Sequence, residues 1–299
     1  MNYFQKIKGF AYVVTTLVIW ALFAIFSRMV ETQQLNAWDV NFLRFSFASL
    51  LIVLFLLWKR QWIHFPIGPM LVLSLLGGIG YCVIVYTGFL YAPVSHSAIW
   101  LNTCIPVSTF VLSVLLIGRD FSKDDLRVFC IIVASILLMI AYGLWTQSYV
   151  FSIGDLLFFI GSLFWAGYTL LLKKWQISIS QAVIGVTLTS FVMYTPIYWL
   201  FLPKNIHNEA WEIMLMQGVF HGVFMVIVAS FTFIKSIELL GAFKAGSILA
   251  LAPFLAVILA IPLLNEWPET ASLIGLAGLM IAITKPWTWK INPFLANRD

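Results

Sequence analysis

The chain has 299 residues, of which 62% are hydrophobic and only 10% charged. A soluble globular chain is about 25% charged, because polar side chains must cover its outside; lipid, which favours apolar side chains and penalises charge, is the solvent this composition suits. The net charge of +5 does not indicate a nucleic-acid partner, because the basic residues are spread over short separate segments, and Cys82, Cys104 and Cys130 lie singly in apolar runs without disulfide or zinc spacing.

The first apolar body, 10–30, follows a basic head carrying Lys6 and Lys8. It is too long for a signal-peptide core and no small-residue cleavage site follows, so it reads as a first span. A crossing helix needs about 20 apolar residues. The chain supplies further candidates at 38–58, 67–90, 95–117, 126–145, 153–172, 181–202, 211–234, 242–264 and 270–286. The connections are short and hold the charges and turn formers, as in Lys59-Arg60-Gln61, Arg119-Asp120 to Asp125, and Pro203-Lys204-Asn205. Continuous apolar runs, without alternation, exclude a β-barrel. The expected fold is an all-α membrane protein of ten transmembrane helices.

Basic residues set the orientation. With the N-terminus in the cytoplasm, the cytoplasmic segments hold Lys6, Lys8, Lys59, Arg60, Arg119, Lys123, Arg127, Lys173, Lys174, Lys235, Lys244, Lys285, Lys290 and Arg298. The opposite side holds Lys204, while Arg28 and Arg44 sit inside spans. Both termini are therefore expected in the cytoplasm of a bacterial cell, with the chain in its inner membrane.

Five spans per half make the second half enter the membrane from the other side. Residues 1–147 and 148–299 are the expected repeats. Trp20-Ala21 is echoed by Trp165-Ala166, Pro106 by Pro253, and the run 134–143 loosely by 277–286, at a nearly constant offset. Inverted repeats are a common build of secondary transporters, because exchanging the conformations of the halves gives alternating access.

These residues carry a resemblance. Trp20-Ala21 with Ser27-Arg28, Asn41-Phe42-Leu43-Arg44-Phe45 with Ala48, Trp165-Ala166 with Lys173, Pro106, Pro253, and Glu266 after span nine resemble the ten-helix EamA-type branch of the drug/metabolite transporter superfamily over nearly the whole chain. Arg119-Asp120 departs from its pattern after span four. The resemblance implies a transporter with a central cavity between spans one, three, four, six, eight and nine. It also implies export as the commoner direction.

Trp38, Trp58, Trp62, Trp145, Trp211, Trp267, Trp287 and Trp289 fall at span ends and read as interfacial anchors. Trp20 and Trp165 fall near mid-span, and Trp100 about 8 Å inside. Each either packs between helices or lines the cavity. His221 is near the midpoint of span eight, where an imidazole is costly unless paired or wet. His96 shares a helix face with Trp100 but sits near the outer end, where solvation makes it cheap. Tyr81 is at mid-depth, Tyr168 shares a face with Trp165, and Asn102 shares one with Pro106. The expected substrate site is Trp20, Tyr81, Trp100, Asn102, Trp165, Tyr168 and His221. Pro106 and Pro253 each free the carbonyl four residues back and are the expected hinges. Arg44, roughly 9 Å from the outer boundary, either anchors a substrate carboxylate or, as the favoured expectation because the resemblance makes span two peripheral, snorkels or pairs structurally. The glycines Gly77, Gly78, Gly80, Gly218 and Gly222 read as close-packing positions.

The leading function is secondary transport of a small organic metabolite such as an amino acid or amine. Uptake of choline or another quaternary ammonium compound through an aromatic cage is the alternative. An intramembrane enzyme would need a deep carboxylate pair, a nucleophile with a base, or a metal set; the chain has no H-E-x-x-H, G-x-S-x-G or P-loop motif. A receptor or scaffold would give no reason for His221 or the matched prolines. No cofactor or metal is expected. The expected partners are the substrate and the bilayer, without nucleic acid, for a monomer or homodimer. All twelve acids fall in loops or near span ends, so coupling is expected through His221 or not at all.

Overall fold

The computed structural model describes residues 3–60, 64–118 and 122–285. Trp62, Trp287 and Trp289, and the basic residues Arg119, Lys290 and Arg298, lie outside them, as does Asp120. Among the described residues every regular element is helical. Nine helices among the described residues are long and apolar enough to cross a membrane: α1 (Phe4–Thr32), α2 (Ala37–Lys59), α3 (Ile67–Tyr91), α4 (Val94–Leu115), α5 (Lys123–Thr146), α6 (Ile153–Lys174), α7 (Ile179–Phe201), α8 (Trp211–Leu240) and α9 (Lys244–Leu264). The tenth, α10 (Thr270–Thr284), has 15 residues and is about 22 Å long. We call the face where α1 begins the near face and the opposite one the far face.

Helix starts are written in the sequence. Asn36 accepts the N–H groups of Trp38 and Asp39 at 2.9 and 3.0 Å, and Asp39 accepts that of Asn36 at 3.0 Å. The same reciprocal boxes, Ser122 with Asp125 and Ser178 with Gln181, start α5 and α7. They satisfy amide donors that lack an intrahelical partner, a need made acute where water is scarce. Leu50, Leu54, Leu57, Leu137, Leu138, Val192 and Ile258 are all exposed, a surface suited to lipid.

The helices pack as two related halves. α1 lies on α8 and α9, and α6 on α3 and α4. α2 packs on α7 and α8, α7 on α2 and α3, and α5 along α10. Replacing each helix by the one five places on maps this set onto itself, as inverted repeats require. Glycines permit the close approaches: a Cβ on Gly222 of α8 would come within 2.7 Å of Phe47 Cβ and 2.8 Å of the Arg44 carbonyl on α2.

Three helices contain wide turns: Ser74–Ile79 in α3, Ala98–Thr103 in α4 and Val219–Val228 in α8. The one in α4 directly precedes Pro106, whose ring removes a donor and crowds the carbonyl four residues back. There the Thr103 hydroxyl donates to the Ala98 carbonyl at 3.1 Å, and the Asn102 amide to that of Ser97 at 3.3 Å. α9 responds differently to Pro253. It breaks at Ala250 and Leu251, between helical pieces Ala242–Leu249 and Ala252–Leu264.

Candidate functional site: a mid-depth arginine and aromatic cluster

Four of the seven expected site residues gather on facing helices. Tyr81 of α3 and Trp165 of α6 have ring centroids 5.0 Å apart, and Trp165 and Tyr168 5.2 Å apart. All three keep part of their surface accessible. His221 is fully buried. Its Nδ1 lies 3.2 Å from the Tyr86 hydroxyl, and its ring stands edge-on to Phe23 at 5.6 Å.

The residue joining these groups is Arg44, whose side chain turns inward instead of snorkelling. Its Nη1 donates to the Tyr86 oxygen at 3.3 Å. Tyr81, Cys82, Tyr86, Tyr168 and His221 all lie within electrostatic range of the guanidinium. Among the described residues no carboxylate pairs with it, and the buried Nε has no partner. His221 Nε2 is likewise buried and unpartnered. Sequence reading missed Tyr86, one more aromatic in an aromatic span. It weighed Arg44 as an anchor for a substrate carboxylate but favoured a structural role, although a charge inside a span was the signal to follow.

The other three expected residues make contacts of their own, Trp20 and Trp100 on the same core as Tyr81. Trp20 packs on Phe233 of α8 at 5.6 Å, the pseudo-symmetric counterpart of Trp165 against Tyr81. Trp100 donates its indole N–H to the Tyr149 hydroxyl at 2.6 Å, toward the far face. Asn102 is used within the wide turn of α4. Pro106 is exposed beside Thr109 and Phe110, and Pro253 is buried.

A second cluster closes the far face. Arg28 of α1 pairs with Glu266 after α9 at 2.5 Å and with Glu31 at 2.7 Å. Glu266 also accepts the Val94 N–H at 2.9 Å. His96 is buried, correcting the expectation of a cheaply solvated ring: Nδ1 lies 2.7 Å from Asp155 and Nε2 3.3 Å from Glu269. A ring carrying both protons would donate to both acids. Tyr149 stacks on it at 4.6 Å. Burial, with the Asp155 charge adding to it, pushes the Tyr149 hydroxyl above its ordinary value, so it stays a donor. Asp155 sits at a helix start, as the sequence suggested, yet is fully buried. Asp39 is buried in the same way, accepting from the Tyr198 hydroxyl at 2.6 Å.

These far-face bonds join α1 to the α9–α10 connection and α4 to α6 and α10, so they tie the first five helices to the second five. On the near side, Lys235–Glu238 and Arg127–Asp124 join residues three apart on one helix. There the part of α4 after Cys104 packs on α5 and α6, and the first part of α9 packs on α1 and α8.

The EamA-like transporter family model matches residues 7–141 and again 152–284. The chain belongs to the EamA-like transporter family. This places it in the drug/metabolite transporter superfamily as a multi-pass membrane transporter of small molecules. An uncharacterized transporter of Archaeoglobus fulgidus is 22% identical over 292 residues, covering 90% of this chain and 95% of its own. A crystal structure of a protein 17% identical matches with a TM-score of 0.60 over 95% of this chain and 96% of its own, and shares the fold.

Proposed function

We propose that this EamA-like protein is a secondary transporter that exports a small organic metabolite, an amino acid or amine, by alternating access across a bacterial inner membrane, with both termini in the cytoplasm. The observation that carries this reading is the far-face closure. Arg28–Glu266 and His96 with Asp155 and Glu269 bolt one half to the other above a mid-depth group of polar and aromatic side chains. Near the opposite face, the proline-bearing helices α4 and α9 rest on different neighbours. Such an arrangement describes one end state of a rocking cycle, open toward the near face. The near face is the cytoplasmic one by the distribution of Lys and Arg.

The test is solute counterflow in proteoliposomes against a panel of amino acids and amines. Saturable exchange of any of them supports the reading, and exchange of none removes its basis. A periplasm-only reporter fused after Arg298 should stay silent; a strong signal overturns the orientation.

A second reading, uptake of a quaternary ammonium compound, is favoured by Tyr81, Trp165 and Tyr168. Their ring faces suit a cation held by cation–π attraction.

A further inference from the structure

We infer that the transported solute carries a carboxylate, and that Arg44 is the group that binds it, with His221 as a second donor. This rests on the transporter reading and names its substrate class.

Arg44 lies seven residues into α2 and His221 ten residues into α8 from their far ends, about 10 and 15 Å deep. A guanidinium at that depth is costly unless an anion or a set of acceptors compensates it. Here the compensation is incomplete. One Nη1 bond goes to the neutral Tyr86 hydroxyl, no acid stands within ion-pair distance among the described residues, and Nε has no partner. The far-face arginine of the same molecule shows the contrast, since Arg28 has two carboxylates and the Phe89 carbonyl. Arg44 is therefore the deep cation left for a ligand to neutralise.

His221 adds a donor of defined sense. The Tyr86 oxygen accepts from Arg44, which leaves its hydrogen free for His221 Nδ1. The neutral ring then keeps its proton on Nε2, a buried N–H with no partner. Nε of Arg44 and Nε2 of His221 are thus two unused donors at the ends of one hydrogen-bonded chain. A carboxylate is an acceptor with several lone pairs and a full negative charge, and charge-assisted bonds to it are the strong ones. Tyr81, Trp165 and Tyr168 on the facing helices supply contact for an apolar or aromatic body. The same charge opposes a quaternary ammonium or simple amine, which would bring a second cation beside Arg44 and leave both donors unpaired. An amino acid or apolar organic acid fits, and choline does not.

The experiment uses the full-length protein in proteoliposomes and four probes: L-phenylalanine, 3-phenylpropionate, phenethylamine and choline. The two acids are expected to exchange and to raise the Tm of the purified protein, while the two amines do neither. Arg44→Gln should weaken half-saturation by the acids about tenfold or more, and Arg44→Lys, which keeps the charge, should recover part of it. If Arg44→Gln fails to fold, the wild-type contrast between phenylalanine and phenethylamine, which differ by the carboxylate, decides alone. Exchange of phenethylamine or choline at the rate of the acids, or acid exchange unchanged in a folded Arg44→Gln, overturns the carboxylate site and leaves transport standing. Exchange of none of the four also overturns it for apolar acids. The transporter reading is then judged separately by the substrate-free far-face labelling of Ser97→Cys described below.

Discussion

Replacing Glu266 by Gln should open the far face. Glu266 holds the Arg28 guanidinium at 2.5 Å and the Val94 N–H at 2.9 Å, so it ties α1 and the start of α4 to the end of α9. Gln keeps the length and one acceptor oxygen, so the change isolates the charge. The two side chains are 16% and 19% exposed. The loss therefore falls between the 0.2–1 kcal/mol of roughly exposed pairs and the 3–5 kcal/mol of roughly fully buried ones. Arg28 also retains Glu31. About 2 kcal/mol is expected, and at 1.4 kcal/mol per factor of ten this shifts the closed-to-open ratio about 30-fold. The readout is the rate at which a membrane-impermeant maleimide, applied from the far side, labels Ser97→Cys, a buried position just past His96. Cys130, the exposed native thiol, is first changed to Ser, while Cys82 and Cys104 are buried and serve as the control. Labelling is expected to speed up by about 30-fold. A rate unchanged to within about twofold would refute the idea that this pair holds the face shut.

Pro106→Ala and Pro253→Ala should slow transport more than they weaken binding, because the wide turn of α4 and the break in α9 both lie beside these residues; unchanged transport in both variants rejects the hinges. Gly222→Leu should destabilise the protein by about 1–3 kcal/mol, since its added atoms meet Phe47 and the α2 backbone, and an undiminished Tm would show that α2 and α8 separate easily. An imposed pH gradient tests whether coupling runs through the buried His221 or not at all: gradient-driven accumulation is expected to be absent, or to be lost in His221→Gln, and accumulation retained in that variant overturns the expectation.

Much of the fold was legible because a bilayer leaves few choices. Every backbone amide in a span must bond internally, so a long apolar run is read directly as a helix, and the spans counted in the sequence coincide with the ten helices. The capping boxes at Asn36, Ser122 and Ser178 are local, three residues across, and so were also open to sequence reading. The echo of Trp20 in Trp165 pointed to the repeat, and the packing of α1 on α8 and of α6 on α3 carries it through. The site was another matter. In a span that is apolar all round, periodicity does not tell which face turns inward, so it could not say that Trp20 would meet Phe233, Trp100 the Tyr149 hydroxyl, and Asn102 the carbonyl of Ser97. Arg44 meets Tyr86, 42 positions on, and His221 meets Tyr86 across 135. His96 finds Asp155 and Glu269 at separations of 59 and 173. Solvation near a span end was inferred for His96 from depth alone. The packing of α4 against α6 and α10 removed that water and put two acids in its place. Sequence fixes what each helix is made of; which polar groups share one dry space is decided by how the two halves pack, because the partners that compensate a buried charge come from helices far apart in the chain.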